Sequence, residues 1–175
     1  MSGARAGATD TGSPRSWNET WALALTFGLA SVPWTYAFLA GLQLPLWPSF
    51  VASASFFAAG DGLDGLARSY AGNVAGIAYA VATLAVVDAA GGGTLALSFV
   101  VGAFMLLASL HAFVPSLSFT PAAFIGYATL FGVAAAGETA FGISGLAGQA
   151  TAAVTAMLLG ACIGLGTQYV SRLIS

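Results

Sequence analysis

Long apolar runs fill the sequence from Trp21 onward and constrain its fold more than any other feature. Each run approaches the roughly 20 residues that a helix needs to cross the hydrocarbon core of a bilayer. Breaks rich in glycine or polar residues separate the runs, which lack the short alternating segments of barrel strands. The sequence therefore predicts an all-α, polytopic membrane helical bundle. Its six predicted transmembrane helices are residues 21–41, 44–60, 69–88, 95–113, 121–137 and 148–172.

The scarcity of charge supports this prediction. Charged residues make up 6% of the 175-residue chain, whereas an ordinary soluble domain has roughly 25%. So few charged groups cannot cover a globule of this size, so most of the surface must face the lipid bilayer. A net charge of −2 leaves no basic face for nucleic acid. With one His and one Cys, no metal site and no cofactor are expected.

The positions of the arginines predict an orientation in the membrane. If the chain starts in the cytoplasm and crosses six times, all its arginines fall on the cytoplasmic side, as the positive-inside rule requires. Residues 1–16 are predicted to be a disordered cytoplasmic tail, and residues 17–175 a single transmembrane domain. We expect a multi-pass protein of the inner or plasma membrane with both termini in the cytoplasm. The four arginines are Arg5, Arg15, Arg68 and Arg172.

The sequence contains an apparent internal repeat, with units at about residues 21–88 and 95–172. Residues 50–59 align with residues 124–133, and after a two-residue slip Gly72-Asn73 aligns with Gly148-Gln149. The alternative is chance similarity between membrane helices rich in alanine and glycine. Each unit contains three predicted helices, so the second unit begins on the opposite side of the membrane from the first. This arrangement predicts a 3+3 inverted repeat. In such architectures the solute path lies at the repeat interface.

Small residues recur at every fourth position in the third and sixth predicted helices. Such spacing lets helix backbones approach closely in lipid. We expect these stripes to pack against other helices or to form a subunit interface in a homo-oligomer. The packing candidates are Gly72, Gly76, Gly148, Gly160 and Gly164.

Polar and aromatic side chains near the repeat interface are candidates for a solute path. Asn73 and Gln149 would present amide donors and acceptors from opposite sides, although interhelical hydrogen bonding is the alternative. The hydroxyl groups of the second and fifth helices could instead bond their own backbone. Phenylalanines could form a constriction or simply pack, and His111 could gate the path or be hydrated at the membrane boundary. The candidates are Asn73, Gln149, Ser53, Ser55, Tyr127, Thr129, Phe57, Phe131 and His111.

Few charged residues lie near the predicted membrane boundaries. Asp64 and Arg68 are four residues apart, a spacing that permits an ion pair on a helical turn, although structural capping is the favoured alternative. Glu138 lies in an outer loop, where one carboxylate could attract cations. Trp21 and Trp47 fit interfacial anchors.

Three segments resemble the bacterial inner-membrane family catalogued as domain of unknown function 1097. They are residues 55–60 (SFFAAG), 69–76 (SYAGNVAG) and 121–126 (PAAFIG). The resemblance covers about residues 21–170 and implies a multi-spanning membrane protein with no established activity. Members of that family usually carry a lysine-bearing segment before the second motif, where this chain has Arg68 as its one cation.

These features favour a channel or facilitator for a small polar solute. No His–Cys pair, intramembrane carboxylate pair or phosphate-binding loop is present, so we do not expect an enzyme. An active transporter usually needs charge within the membrane for ion coupling. The alternative function is a structural or accessory membrane subunit that transports nothing.

Overall fold

A computed structural model describes residues 17–175, and every regular element in this part of the chain is helical. The predicted all-α fold is confirmed. The predicted tail at residues 1–16 lies outside the described residues. The helices are α1 (Trp17–Tyr36), α2 (Trp47–Ala59), α3 (Gly62–Ala89), α4 (Thr94–Leu110), α5 (Thr120–Ala136) and α6 (Gly145–Ile174).

Four segments in the described chain are long and apolar enough to cross a membrane, which is consistent with a multi-pass membrane protein. They are Trp17–Leu42, Gly62–Ala89, Thr94–Phe113 and Gly145–Ile174. Helix α5 is a shorter apolar helix of 17 residues, and α2 has only 13. At 1.5 Å per residue α2 is roughly 20 Å long, less than the roughly 30 Å thickness of a hydrocarbon core.

The connection between α1 and α2 ends one helix and delays the start of the next. Helix α1 contains Pro33 and continues as a π-helix over Ala37–Leu42. Gln43 then adopts a left-handed backbone conformation with φ 53°, which is uncommon for a residue other than glycine. The chain re-enters a helix only at Trp47, with Pro48 in the first turn, where its missing N–H costs no hydrogen bond.

The segment between α2 and α3 also differs from the sequence prediction. Helix α3 begins at Gly62, well before the predicted start at residue 69. The spacing of Asp64 and Arg68 permits an ion pair, but Arg68 Nε instead donates to the Asp64 carbonyl oxygen at 3.4 Å. An ion pair joins Arg172 Nη2 to Asp61 Oδ2 at 2.6 Å.

Two glycine-mediated helix pairs form the centre of the bundle. Helix α2 packs on α6, where a Cβ added at Gly160 would collide with the backbone of Ser49. Helix α5 packs on α3, where a Cβ added at Gly76 would collide with the backbone of Ala123. Only residues without a side chain allow these backbones to approach so closely.

The other candidate packing glycines have different neighbours. Gly72 lies against Ala122 of α5, and Gly164 lies against Phe56 of α2. Gly148 instead lies against the Ile143 carbonyl in the loop that precedes its own helix. The small-residue stripe of α6 therefore faces α2 over its second half.

The peripheral helices are arranged around this centre. Helix α1 packs on α6, α4 packs on α3, and the central pairs also touch each other through α3–α6 and α2–α5 contacts. The core between them contains fully buried side chains such as Phe56, Leu130 and Met157.

Candidate functional site

A closed ring of hydrogen bonds joins α2 to α3. Asn73 Nδ2 donates to Ser69 Oγ at 3.4 Å, Ser69 Oγ donates to Ser55 Oγ at 2.8 Å, and Ser55 Oγ donates to Asn73 Oδ1 at 3.3 Å. All three side chains are fully buried. Each residue both donates and accepts, so the ring satisfies polar groups that would be costly to bury alone.

Ser53 faces a different helix from Ser55. Its Oγ donates to the Gly160 carbonyl oxygen of α6 at 2.6 Å. One turn earlier, Ser49 Oγ accepts a hydrogen bond from Trp34 Nε1 at 3.0 Å. The two serines predicted to share one path therefore connect α2 to opposite sides, Ser53 to α6 and Ser55 to α3.

The two candidates on α5 also have different hydrogen-bond partners. Tyr127 Oη and Thr83 Oγ1 of α3 lie 2.8 Å apart in a buried hydrogen bond. Thr129 Oγ1 instead donates to the Ile125 carbonyl oxygen of its own helix at 2.8 Å. Tyr127 thus links two helices, whereas Thr129 satisfies only its own backbone.

The predicted amide pair is not equivalent in the structure. Asn73 is fully buried within the ring, whereas Gln149 is half-buried. The hydrogen-bond partners of Asn73 lie on α2 and α3, and Gln149 is not among them.

His111 begins a 3₁₀ turn that follows α4 and is 6% exposed. Its Nδ1 lies 3.4 Å from Tyr79 Oη of α3. Its Nε2 is buried and has no hydrogen-bond partner among the described residues.

The two candidate phenylalanines lie in different surroundings. Phe57 lines an apolar cavity of about 550 Å³ between α1 and α2, together with Phe27 and Phe50. Phe131 lies beside Tyr127, with the ring centroids 5.0 Å apart. Both side chains are half-buried.

One end of the bundle carries a polar network that the sequence did not predict. Asp61 Oδ1 accepts a hydrogen bond from Gln168 Nε2 at 2.7 Å, and Asp61 Oδ2 pairs with Arg172. The Gly62 N–H, at the start of α3, donates to Gln168 Oε1 at 3.0 Å. We call this the Asp61 end, and its network ties the turn between α2 and α3 to the last turns of α6.

The opposite end carries Glu138, in the loop before α6. Its Oε2 accepts a hydrogen bond from Trp47 Nε1 at 3.1 Å, so Trp47 is a hydrogen-bond donor as well as a predicted interfacial anchor. Beside this pair lies a cavity of about 230 Å³ between the α1–α2 connection and the α5–α6 loop. It is lined by Leu39, Gln43, Leu44, Pro45, Leu46, Glu138 and Thr139. We call this the Glu138 cavity.

Comparison with known proteins identifies a family but no characterised relative. The family model described as "Protein of unknown function (DUF1097)" matches residues 24–172. No curated protein and no solved structure matches the chain. In residues 17–175, no group of three or more His, Cys, Asp or Glu side chains is placed to hold a metal ion.

Proposed function

The chain belongs to the DUF1097 family of proteins of unknown function, and we propose that it is a channel or facilitator for a small polar solute. We place it in the inner or plasma membrane as a homo-oligomer. Arg68 and Arg172 both lie near the Asp61 end, since Arg68 approaches Gly60 and Arg172 pairs with Asp61. The positive-inside rule then favours cytoplasmic termini.

The observation that carries this proposal is the way the two halves of the chain interlock. The short helix α2 packs on α6 of the other half, and the short helix α5 packs on α3 of the first half. The outer helices also pack on the other half of the chain: α1 packs on α6, and α4 packs on α3. These pairings are what a two-fold axis in the membrane plane would produce, and they support an inverted repeat. Helices too short to span occur beside the solute sites of such proteins.

The packing supports a different register for this repeat from the one that the sequence alignment suggests. Ala123 meets Gly76, and Ser49, its counterpart in the alignment, meets Gly160. The packing therefore relates Gly76 to Gly160, whereas the alignment of Gly72 with Gly148 would relate Gly76 to Ala152. In the packing register the counterpart of Asn73 is Met157, so a symmetric pair of amides is not part of the proposed path. We place the path beside the ring of Ser55, Ser69 and Asn73.

A second function, that of an accessory subunit, is favoured by the closed packing around the ring. The ring residues are fully buried and satisfy one another, and glycine contacts hold both central helix pairs closely together. A side chain whose only role is to hold helices together needs no access to solute. Under this alternative the protein would stabilise an assembly and leave membrane permeability unchanged.

Solute flux into proteoliposomes distinguishes the two functions. Stopped-flow light scattering with urea, glycerol and water as probes should show faster permeation of at least one probe than in empty liposomes. In Asn73→Leu that permeation should fall about tenfold, because losing a hydrogen bond to a dehydrated solute costs roughly 1–3 kcal/mol. Thr151→Val is a matched control, since Thr151 Oγ1 bonds only the backbone of its own helix at an exposed site.

Each alternative result has a definite meaning. If wild-type protein leaves the permeability to all three probes unchanged, the accessory function replaces the channel. If Asn73→Leu conducts like wild type, or if Thr151→Val loses as much flux as Asn73→Leu, the path does not pass the ring. Melting temperatures of the same samples show whether a loss of flux reflects unfolding.

A further inference from the structure

The Glu138 cavity combines one carboxylate, two neutral polar side chains and an apolar wall. Glu138, Gln43 and Thr139 supply hydrogen-bonding groups, and four Leu and Pro residues supply the rest of the lining. From the sequence alone, Glu138 is one carboxylate of a predicted outer loop that could attract cations. The structure adds an open cleft of about 230 Å³ and a hydrogen-bond partner for the carboxylate.

The carboxylate of Glu138 has capacity for a cationic ligand. The Trp47 indole donates to Oε2, and no other hydrogen bond to this carboxylate joins it to the described residues. Arg68 and Arg172 lie at the Asp61 end, about the length of α6 away, so neither neutralises it. A helix of 30 residues is roughly 45 Å long, far beyond the Debye length at physiological salt.

The lining of the cavity favours an organic cation over a metal ion. A hard metal ion takes six or more oxygen ligands, usually including several carboxylates. Among residues 17–175, Glu138 belongs to no group of three acidic, His or Cys side chains. An ammonium group needs only a few acceptors, which the Glu138 carboxylate, the Gln43 amide oxygen and the Thr139 hydroxyl can supply. The wall formed by Leu39, Leu44 and Leu46 suits a short alkyl chain.

The backbone at the cavity wall is held in an uncommon conformation. Gln43 has φ 53°, in the left-handed region that non-glycine residues seldom occupy. Such conformations cost free energy, and they concentrate at functional sites. In this chain the turn brings the residue 43–46 connection against Glu138 and Thr139 and so creates the cavity.

We propose that the Glu138 cavity is a binding site for a small primary alkylammonium ion. The ammonium group donates hydrogen bonds to Glu138, and the alkyl chain lies against the leucines. This site goes beyond the proposed permeation function, because binding at this end of the bundle requires no conduction.

Titration calorimetry of the full chain in nanodiscs tests the site, with n-butylammonium chloride as the probe. We expect saturable heat that is absent from empty nanodiscs and from titrations with sodium chloride. Glu138→Gln keeps an oxygen acceptor for Trp47 but removes the charge, so it should weaken binding about tenfold or more, the range expected for a hydrogen bond to a charged group. Asp88→Asn is the matched control. Asp88 is an exposed carboxylate in the last turn of α3, at the same end of the bundle as Glu138 but outside the cavity lining.

Several results would overturn the proposal. Equal affinity in wild type and Glu138→Gln would show that the carboxylate does not bind the probe. Equal binding of neutral n-butanol would indicate an apolar pocket only, and equal loss in Asp88→Asn would indicate a diffuse surface charge effect. If Glu138→Gln does not fold, Thr139→Val combined with Gln43→Leu should weaken binding, and unchanged affinity in that variant would also refute the site.

Discussion

Replacing Gly160 with alanine tests the packing of α2 on α6 with the smallest possible perturbation. The added methyl group would collide with the carbonyl group and Cα of Ser49, which are backbone atoms and cannot rotate away. The two helices must separate, which also stretches the 2.6 Å hydrogen bond from Ser53 Oγ to the Gly160 carbonyl. Overpacking costs about 1–3 kcal/mol, and a membrane interhelical hydrogen bond adds about 0.6 kcal/mol. The advantage of alanine over glycine in a helix, about 0.5–1 kcal/mol, offsets part of this cost, so we expect Gly160→Ala to lower the free energy of unfolding by about 1–3 kcal/mol.

Gly166→Ala is the matched control on the same helix. Nothing lies within 4 Å of a Cβ built at Gly166. Alanine is favoured over glycine in a helix by about 0.5–1 kcal/mol, so this variant should be as stable as wild type or slightly more stable. Equilibrium unfolding in mixed micelles, followed by circular dichroism, measures both variants under identical conditions. The packing argument is refuted if Gly160→Ala unfolds at the same denaturant fraction as Gly166→Ala.

Two further predictions concern the Asp61 end. Asp61→Asn keeps an acceptor for Gln168 and removes the charge opposite Arg172; because these side chains are 65% and 55% exposed, we expect a loss of only about 0.2–1 kcal/mol. Unfolding at low and high salt checks this, since roughly 1 M salt should remove the difference and its persistence would contradict a screened ion pair. Reporter fusions at both termini should give cytoplasmic signals, and a periplasmic signal from either terminus would contradict the proposed orientation.

Hydropathy predicted the long helices well because lipid exposure leaves a continuous apolar signal along the chain. Hydropathy did not predict helix ends correctly where the helix continues into polar residues beyond the apolar run. Asp61, Asp64 and Arg68 indicated a loop, yet α3 already begins at Gly62. The left-handed turn at Gln43 ends the π-helix that continues α1, and no hydrophobicity average responds to a single backbone angle.

The repeat alignment selected polar residues as candidates for a solute path but did not identify their hydrogen-bond partners. Ser53 and Ser55 are both buried and bond to different helices. Helix geometry already contained the signal that they diverge, because residues two apart do not share a face. The pairing of Trp47 with Glu138 joins residues 91 positions apart, so it depends on the assembled fold and could not be predicted from either residue.

The packing of α2 on α6 has a consequence for the order in which the protein is made. Ser53 and its acceptor Gly160 are 107 residues apart, and α6 leaves the ribosome after α1–α5. At 5–20 residues per second, α2 waits on the order of 5–20 s for that partner. During this interval the serines of α2, and the surface of α2 that later packs on Gly160 and Gly164, are available to other helices in the membrane. Helix α6 therefore completes the first half of the molecule, and a chain that stops before Gly145 would leave α2 without its main partner.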